Sequence, residues 1–289
     1  MLTYPEIEPV ILTLGAVSIH WYGVMYLIGF AGGWGLARLR VGKVGVVWNA
    51  SQADDILFYI VVGVVLGGRI GYLLFYNLQA FLSDPLSFFR VWEGGMSFHG
   101  GLVGVLLAMW YFSHKEGRTF FEATDYIAPL VPVGLGAGRV GNFINGELWG
   151  GVTHLPWGMQ VPCIEAKALC ARLGLPADAA YSPPVHPNQL YEFLLEGVLL
   201  FLILWLFSAK PRPQMAVSGM FLICYGVFRF AIEFVRLPDL HIGYLAFDWL
   251  TMGQLLSLPM ILFGFLLLYL AYRPTVLKSG HKKPHETVS

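Results

Sequence analysis

Charge is what this sequence has least of: 12% of its 289 residues are Asp, Glu, Lys or Arg, about half the share in an ordinary soluble domain. A chain so poor in charge, and 56% hydrophobic, is neither a disordered segment nor a nucleic-acid-binding protein. Net charge is missing as well, with 18 basic residues against 18 acidic ones. No global field recruits a polyanion, so any useful asymmetry is local. Cysteine is scarce: Cys163, Cys170 and Cys224 are too few for a disulfide scaffold and show no metal-ligand spacing with histidine. No metal or cofactor is expected. Lysine and arginine are absent before Arg38. A secretory signal needs a positive segment ahead of its apolar run, so the first apolar stretch reads as a retained span. Internal repeats and low-complexity segments are missing too.

Long apolar runs are what the chain does have. A hydrocarbon core of about 30 Å takes about 20 mostly apolar residues per helix, and seven stretches qualify, roughly 19–37, 56–76, 97–113, 124–143, 188–208, 216–236 and 249–271. The expected fold is therefore an all-α integral membrane protein with seven transmembrane helices. The longest connection, 144–187 between helices 4 and 5, forms a small external subdomain in this reading, and residues 1–273 make one polytopic domain. The polar tail 274–289 reads as mobile. Gly63, Gly67 and Gly71, like Gly29 and Gly33, have the small-xxx-small spacing that lets helices approach closely.

Basic residues in the connections set the orientation. One set of loops and the tail hold Arg38, Arg40, Lys43, Lys115, Arg118, Lys210, Arg212, Arg273, Lys278, Lys282 and Lys283. The opposite set holds only Arg90, Lys167, Arg172 and Arg236. This predicts an external amino terminus and a cytoplasmic carboxyl terminus.

Six ionisable residues remain within the spans: Arg69, Arg139, Arg229, Glu192, Glu196 and Glu233. Each costs at least ~2.5–3.5 kcal/mol at a span centre, which makes it a candidate functional residue, the alternative being snorkelling or a structural ion pair. With the orientation above, Tyr22, Arg69, His99, Arg139, Asn142, Glu192, Arg229, Glu233 and Asp248 all fall toward the external side. A proton or ion relay needs polar groups through the whole thickness, and a transporter also shows inverted repeats or broken helices. Neither is evident in the sequence. A cavity open to the outer leaflet fits better.

Two clusters are richest. Residues 134–151, GLGAGRVGNFINGELWGG, set Arg139, Asn142, Asn145 and Glu147 among glycines that permit close backbone approach to a ligand, and arginine offers a planar fork suited to phosphate. The formal GxGxxG at Gly136, Gly138 and Gly141 is rejected as a dinucleotide fingerprint, since it does not follow a strand in a βαβ unit. The second cluster, Arg229, Glu233 and Arg236, is spaced i, i+4, i+7 on one helical face. Either Glu233 neutralises its neighbours as a structural network, or it orients Arg229 while a net positive face binds an anion, of which phospholipid is the commonest in a membrane. His99 in SFHGGLVG opens span 3 as an interfacial hydrogen-bonder or a base, and Tyr22 in HWYG fits an interfacial aromatic belt.

Four segments, HGGLVG at 99–104, GAGRVGNFINGELWG at 136–150, HPNQLYE at 186–192 and FRFAIEFVR at 228–236, together resemble the bacterial prolipoprotein diacylglyceryl transferases. The likeness runs from about Pro9 to Arg273 and is closest to enzymes of Gram-negative inner membranes, with 152–185 unmatched. It implies transfer of the diacylglyceryl group of phosphatidylglycerol to the thiol of the lipobox cysteine in a preprolipoprotein signal peptide, forming a thioether and releasing glycerol phosphate. The site residues it implies are Tyr22, His99, Arg139, Asn142, Glu147, Gly150, Arg229 and Glu233, with Arg236 mapping less securely. Arg139 and Arg229 would stabilise the leaving phosphate. His99 is the natural base for a thiol that is only a few per cent thiolate at pH 7, with Glu147 or a paired Tyr22 as competitors. The alternative is an outer-leaflet phospholipid-binding or transport protein, which shares the arginines but has no use for a base. Pairing of Cys163 with Cys170 is left open.

Overall fold

The structure is a computed structural model describing residues 2–5, 7–14, 17–43, 48–90, 94–238 and 243–273. The tail expected at 274–289 lies outside the described residues. The chain is mostly helical: α1 Trp21–Arg40, α2 Ala50–Tyr76, α3 Leu78–Ser83, α4 Phe98–Lys115, α5 Phe120–Ile127, α6 Val131–Ile144, α7 Lys167–Arg172, α8 Asn188–Glu192, α9 Leu200–Phe207, α10 Ala216–Ile232 and α11 Met252–Tyr272. Phe193–Leu199 is a π-helical segment that joins α8 to α9, making one continuous helix Asn188–Phe207. Helix starts follow from local chemistry. Asn49 with Gln52, Thr119 with Glu122 and Thr251 with Gln254 form capping boxes, and Ser97 caps α4, each satisfying backbone N–H groups that a helix start leaves open.

By length and composition, α2, Asn188–Phe207 and α11 are apolar enough to cross a bilayer, and α5 with α6 makes a fourth candidate bent by 50°. Helix α10 is apolar but shorter. The fourth predicted span is thus broken, contrary to the expectation of unbroken helices. Pro129 and Pro132 lack the N–H that a continuous ladder needs there. Span 6 also ends sooner than expected, at Ile232 rather than 236. Four short strands interrupt the all-α reading. Val10–Leu14 (β2) and Val17–His20 (β3) pair antiparallel ahead of α1, and Leu2–Thr3 (β1) pairs parallel with Met159–Gln160 (β4).

That last pairing ties the amino terminus to the long connection. Tyr4, Trp149, Val161, Ala166, Leu169 and Val185 form a small core of their own. The Tyr4 hydroxyl, pushed up to about 12 chiefly by burial, stays protonated and donates to the Phe143 and Ile144 carbonyls at 2.7 and 2.9 Å. Those carbonyls close α6, so the folded connection is anchored to the end of the helix that carries Arg139. Cys163 and Cys170 are joined in a disulfide, settling the pairing question left open by the sequence.

Helices α2 and α4 approach most closely. A Cβ on Gly63 would stand 2.6 Å from the Gly104 carbonyl oxygen, and one on Gly71 would stand 2.7 Å from Gly100 Cα, so the glycine ladder read in α2 meets a second ladder in α4. Arg69, on the same stretch of α2, is 4% exposed. Its guanidinium donates to the carbonyls of Ser87, Phe88, Arg90, Gly94 and Gly95. Among the described residues it faces no acid. It gathers both sides of the loop that leads into α4, while the Ser97 amide donates to Gly68 O at 2.9 Å. Its role is to clamp this loop.

A lysine at 69 has three donors on one nitrogen and cannot reach five carbonyls spread along a planar fork. With at least two acceptors left unpaired, Arg69→Lys is expected to destabilise the protein by about 2 kcal/mol or more. The thermal midpoint of the purified protein in detergent measures this, and an unchanged midpoint would dismiss the clamp.

Candidate active site

Three helices carry the charged groups, α6, Asn188–Phe207 and α10, and α1 and α11 pack beside them. The close contact of α6 with the π-helical segment comes first, since a Cβ on Gly197 would stand 2.9 Å from Gly136 Cα. That contact sets Glu192 and Glu196 against Arg139. Single π-helical turns often occur at functional positions. Arg139 Nη1 pairs with Glu192 Oε2 at 3.0 Å, and its Nη2 pairs with Glu196 Oε2 at 3.0 Å. The other oxygen of Glu192 receives Arg229 Nη1 at 2.8 Å and Asn188 Nδ2 at 3.2 Å. Arg229 Nη2 continues to Glu233 Oε1 at 2.5 Å, which Arg236 Nη1 approaches at 3.5 Å. The result is one chain of alternating charge, Glu196, Arg139, Glu192, Arg229, Glu233, Arg236.

Glu192 and Glu196 are fully buried, while Arg139 and Arg229 keep 17% of their side-chain surface open. Glu233 is held by α11, whose capping Thr251 donates its hydroxyl to Oε2 at 2.6 Å. Gly253 leaves the room, because a Cβ there would stand 2.5 Å from Glu233 Cδ. Helix α10 ends at Ile232, and Arg236 follows in the turn beyond it, its amide donating to Ile232 O at 3.2 Å and its backbone bridged to Gly150, with Glu233 still between it and Arg229 as the spacing predicted. Gly150 itself donates to His186 O at 2.9 Å, and a Cβ on it would stand 2.5 Å from Val235 O. Any side chain at 150 displaces the end of α10.

Beside this chain, Asn142 Nδ2 donates to Glu147 Oε1 at 2.9 Å, Asn145 Nδ2 reaches the same oxygen at 3.4 Å, and Gln189 Nε2 donates to the Glu147 carbonyl. The Glu147 carboxylate is exposed. The Tyr22 ring covers Gly141, meeting a Cβ built there at 2.9 Å, and stacks edge-on against Tyr26 at 5.1 Å. Glu147 and Arg139 lie within electrostatic reach of its hydroxyl. The structure therefore brings Tyr22, Arg139, Asn142, Glu147, Gly150, Arg229, Glu233 and Arg236 into one neighbourhood. It does not join His99 to them. His99 is exposed in the first turn of α4, against the Phe98 ring at 5.7 Å. Among the described residues it makes no hydrogen bond or ion pair with the cluster.

Glu192 and Glu196, candidates in the sequence as acids inside a span, are not among the site residues that the resemblance implies, and their i, i+4 spacing is the signal that they share a face. Their presence corrects the expectation of a net positive face. Among the described residues three guanidinium groups meet three carboxylates, which balances the charge of the arginine chain there.

Residues 9–270 match the family described as prolipoprotein diacylglyceryl transferase. The chain is similar to the phosphatidylglycerol--prolipoprotein diacylglyceryl transferase of Pseudomonas fluorescens, 55% identical over 280 residues covering 97% of this chain and 99% of that protein. It is 55% identical to the same-named protein of Pseudomonas aeruginosa over 94% of this chain and 97% of the relative. For that of Pseudomonas putida the values are 54%, 95% and 98%.

The bridging role of Glu192 is open to a stability test. Removing one partner of a buried ion pair typically costs about 3–5 kcal/mol, and Glu192 serves two arginines. Glu192→Ala should therefore lower the unfolding temperature in detergent far more than Asn188→Ala, which removes one hydrogen bond to the same carboxylate and leaves both of its ion pairs in place. Equal losses would mean that Glu192 is not the bridge.

Proposed function

The chain belongs to the prolipoprotein diacylglyceryl transferase family, and from that premise we propose how its site carries out the family's reaction. The protein is a membrane transferase that moves the diacylglyceryl group of phosphatidylglycerol to a prolipoprotein. The acceptor is the thiol of the lipobox cysteine in the signal peptide of the preprolipoprotein. A sulfur–carbon bond forms at the glycerol carbon that bears the phosphate, the carbon–oxygen bond breaks, and glycerol phosphate leaves.

The observation that carries this reading is the pair of arginines held at fixed separation by one buried carboxylate. A guanidinium has five N–H donors. Arg139 commits three and Arg229 two to their carboxylates, so both retain donors for a phosphate. Negative charge grows on the leaving phosphate in a poorly hydrated place, where preorganised donors are most effective. Asn142 and Glu147 form the polar wall beside Arg139, and Gly150 fixes Arg236 against it. Tyr22 packs over the same helix end. His99 takes the thiol proton in this reading, with Glu147 and Tyr22 as the competing bases. The nucleophile belongs to the substrate, so Cys224 has no part in the chemistry.

The protein lies in the inner membrane with seven spans, the site toward the periplasm, the amino terminus outside and the carboxyl terminus in the cytoplasm. Two independent features support this orientation. Basic residues favour the opposite loops, and the Cys163–Cys170 disulfide in the 144–187 connection suits an oxidising compartment. In a Cys224→Ser background, Pro156→Cys should react with an impermeant thiol reagent in intact spheroplasts and Lys210→Cys should not. The reverse pattern would invert the topology.

Base and clamp separate by pH. Without a base the reaction depends on thiolate formed in solvent, which rises about tenfold per pH unit until it nears a thiol pKa of ~8.5. His99→Gln should recover part of its rate, relative to the parent enzyme, between about pH 7 and pH 9. Arg139→Ala lacks leaving-group stabilisation and should show a constant deficit. Rates with phosphatidylglycerol and a soluble lipobox peptide measure both, and parallel profiles would remove His99 from the role of base.

A further inference from the structure

Among the described residues, Glu196 is the one acid of the charge chain with an oxygen in neither a hydrogen bond nor an ion pair, whereas Glu192 Oε2 and Glu233 Oε1 touch arginine nitrogens. Glu196 Oε2 accepts from Arg139 Nε at 3.3 Å and Nη2 at 3.0 Å, while its fully buried Oε1 has no hydrogen-bond donor. Glu192 spends both oxygens on two arginines. Glu233 is shared by two arginines and receives the Thr251 hydroxyl. The groups that face Glu196 are Arg139 from α6, Glu192 from the preceding turn, and Arg229 and Tyr225 from α10. Among the three acids of the charge chain, Glu196 is the one whose protonation breaks contacts with a single arginine.

The Nε–Nη2 edge of Arg139, which Glu196 occupies, is also the edge with which an arginine forks a phosphate. Counted over the described residues, a phosphodiester entering the chain turns three positive and three negative groups into three and four. An uncompensated charge in a buried setting costs several kcal/mol, and neutralising one acid removes it.

We infer that Glu196 is a positioning residue that holds the phosphate-binding edge of Arg139 in the lipid-free enzyme, and that it surrenders that edge to the lipid phosphate while taking up one proton. This rests on the reading of Arg139 as a phosphate ligand. The proton comes from solvent and forms one O–H bond on the Glu196 carboxylate, no other covalent bond changes, and the proton returns to solvent when glycerol phosphate leaves. The inference therefore assigns Glu196 to substrate exchange, outside the bond-making step.

Lipid binding alone tests it, without an acceptor peptide. Short-chain phosphatidylglycerol is titrated calorimetrically into the full-length enzyme in detergent, in two buffers of different ionisation enthalpy. The parent should take up close to one proton per lipid, and its Kd for phosphatidylglycerol should rise with pH, by up to about tenfold per pH unit. Glu196→Gln, which resembles the neutral acid, should bind at least as tightly with no proton uptake and a pH-independent Kd. A purely structural Glu196 would leave the pH dependence of Kd unmoved. Proton-free binding by the parent overturns the proposal even if the variant fails to fold. So does undiminished uptake in Glu196→Gln, or loss of binding by the folded variant. Failure of the parent to bind phosphatidylglycerol at any pH overturns instead the phosphate-site reading beneath it.

Discussion

A carboxylate with each oxygen taken by a different arginine cannot shift without disturbing both, and Glu192 is in that position between Arg139 and Arg229. The two arginines come from helices distant in sequence, α6 and α10. Their spacing depends on a third helix that neither could dictate. Much of the remaining architecture keeps Glu192 in place: the Gly136–Gly197 contact that lets α6 approach its helix, the π-helical segment that follows it, and the Asn188 amide that shares its oxygen. A buried charge chain of this kind is weak as a source of stability compared with apolar packing. Its value is that it sets guanidinium groups at fixed positions before a substrate arrives, which is what preorganised electrostatic stabilisation requires.

The second structural constraint is the clamp at Arg69. Its buried cation is satisfied by peptide carbonyls instead of an acid, and it organises the loop that precedes α4. His99 stands in the first turn of that helix. The arginine chain and His99 are thus positioned by separate devices, one made of ion pairs among α6, α8 and α10, the other of glycine contacts and carbonyl hydrogen bonds between α2 and α4. A reaction joining two substrates, one anionic lipid and one thiol, suits such a division, since each partner needs its own alignment.

Folding of the 144–187 connection serves the same end. Tyr4 connects the first strand, the small core around Val161 and Val185, and the last carbonyls of α6. The end of the helix carrying Arg139 and Asn142 is therefore not free to fray, and the Gly150–Arg236 bridge fastens the end of α10 to the same connection.

Read alone, the sequence determined the helical membrane character, because long apolar runs and a shortage of charge are local properties that need no partner to be recognised. It also marked candidate residues: Arg139, Arg229 and Glu233 stand out because a charged group within an apolar run is costly enough to require a purpose, while Asn142, Glu147 and Gly150 were marked by the glycine-rich motif around them and by the family resemblance. The break between α5 and α6 was written in Pro129 and Pro132, yet a mean hydropathy over the window conceals it. Only tertiary structure decided the charge balance of the site, because the i, i+4 face of Arg229 and Glu233 contains no information about Glu192 arriving from another helix. It likewise decided that Glu196 opposes Arg139, that Arg69 serves backbone carbonyls, and that Cys163 meets Cys170. Each of these depends on the distance between side chains on separate turns or elements, a quantity that residue spacing along one helix does not contain.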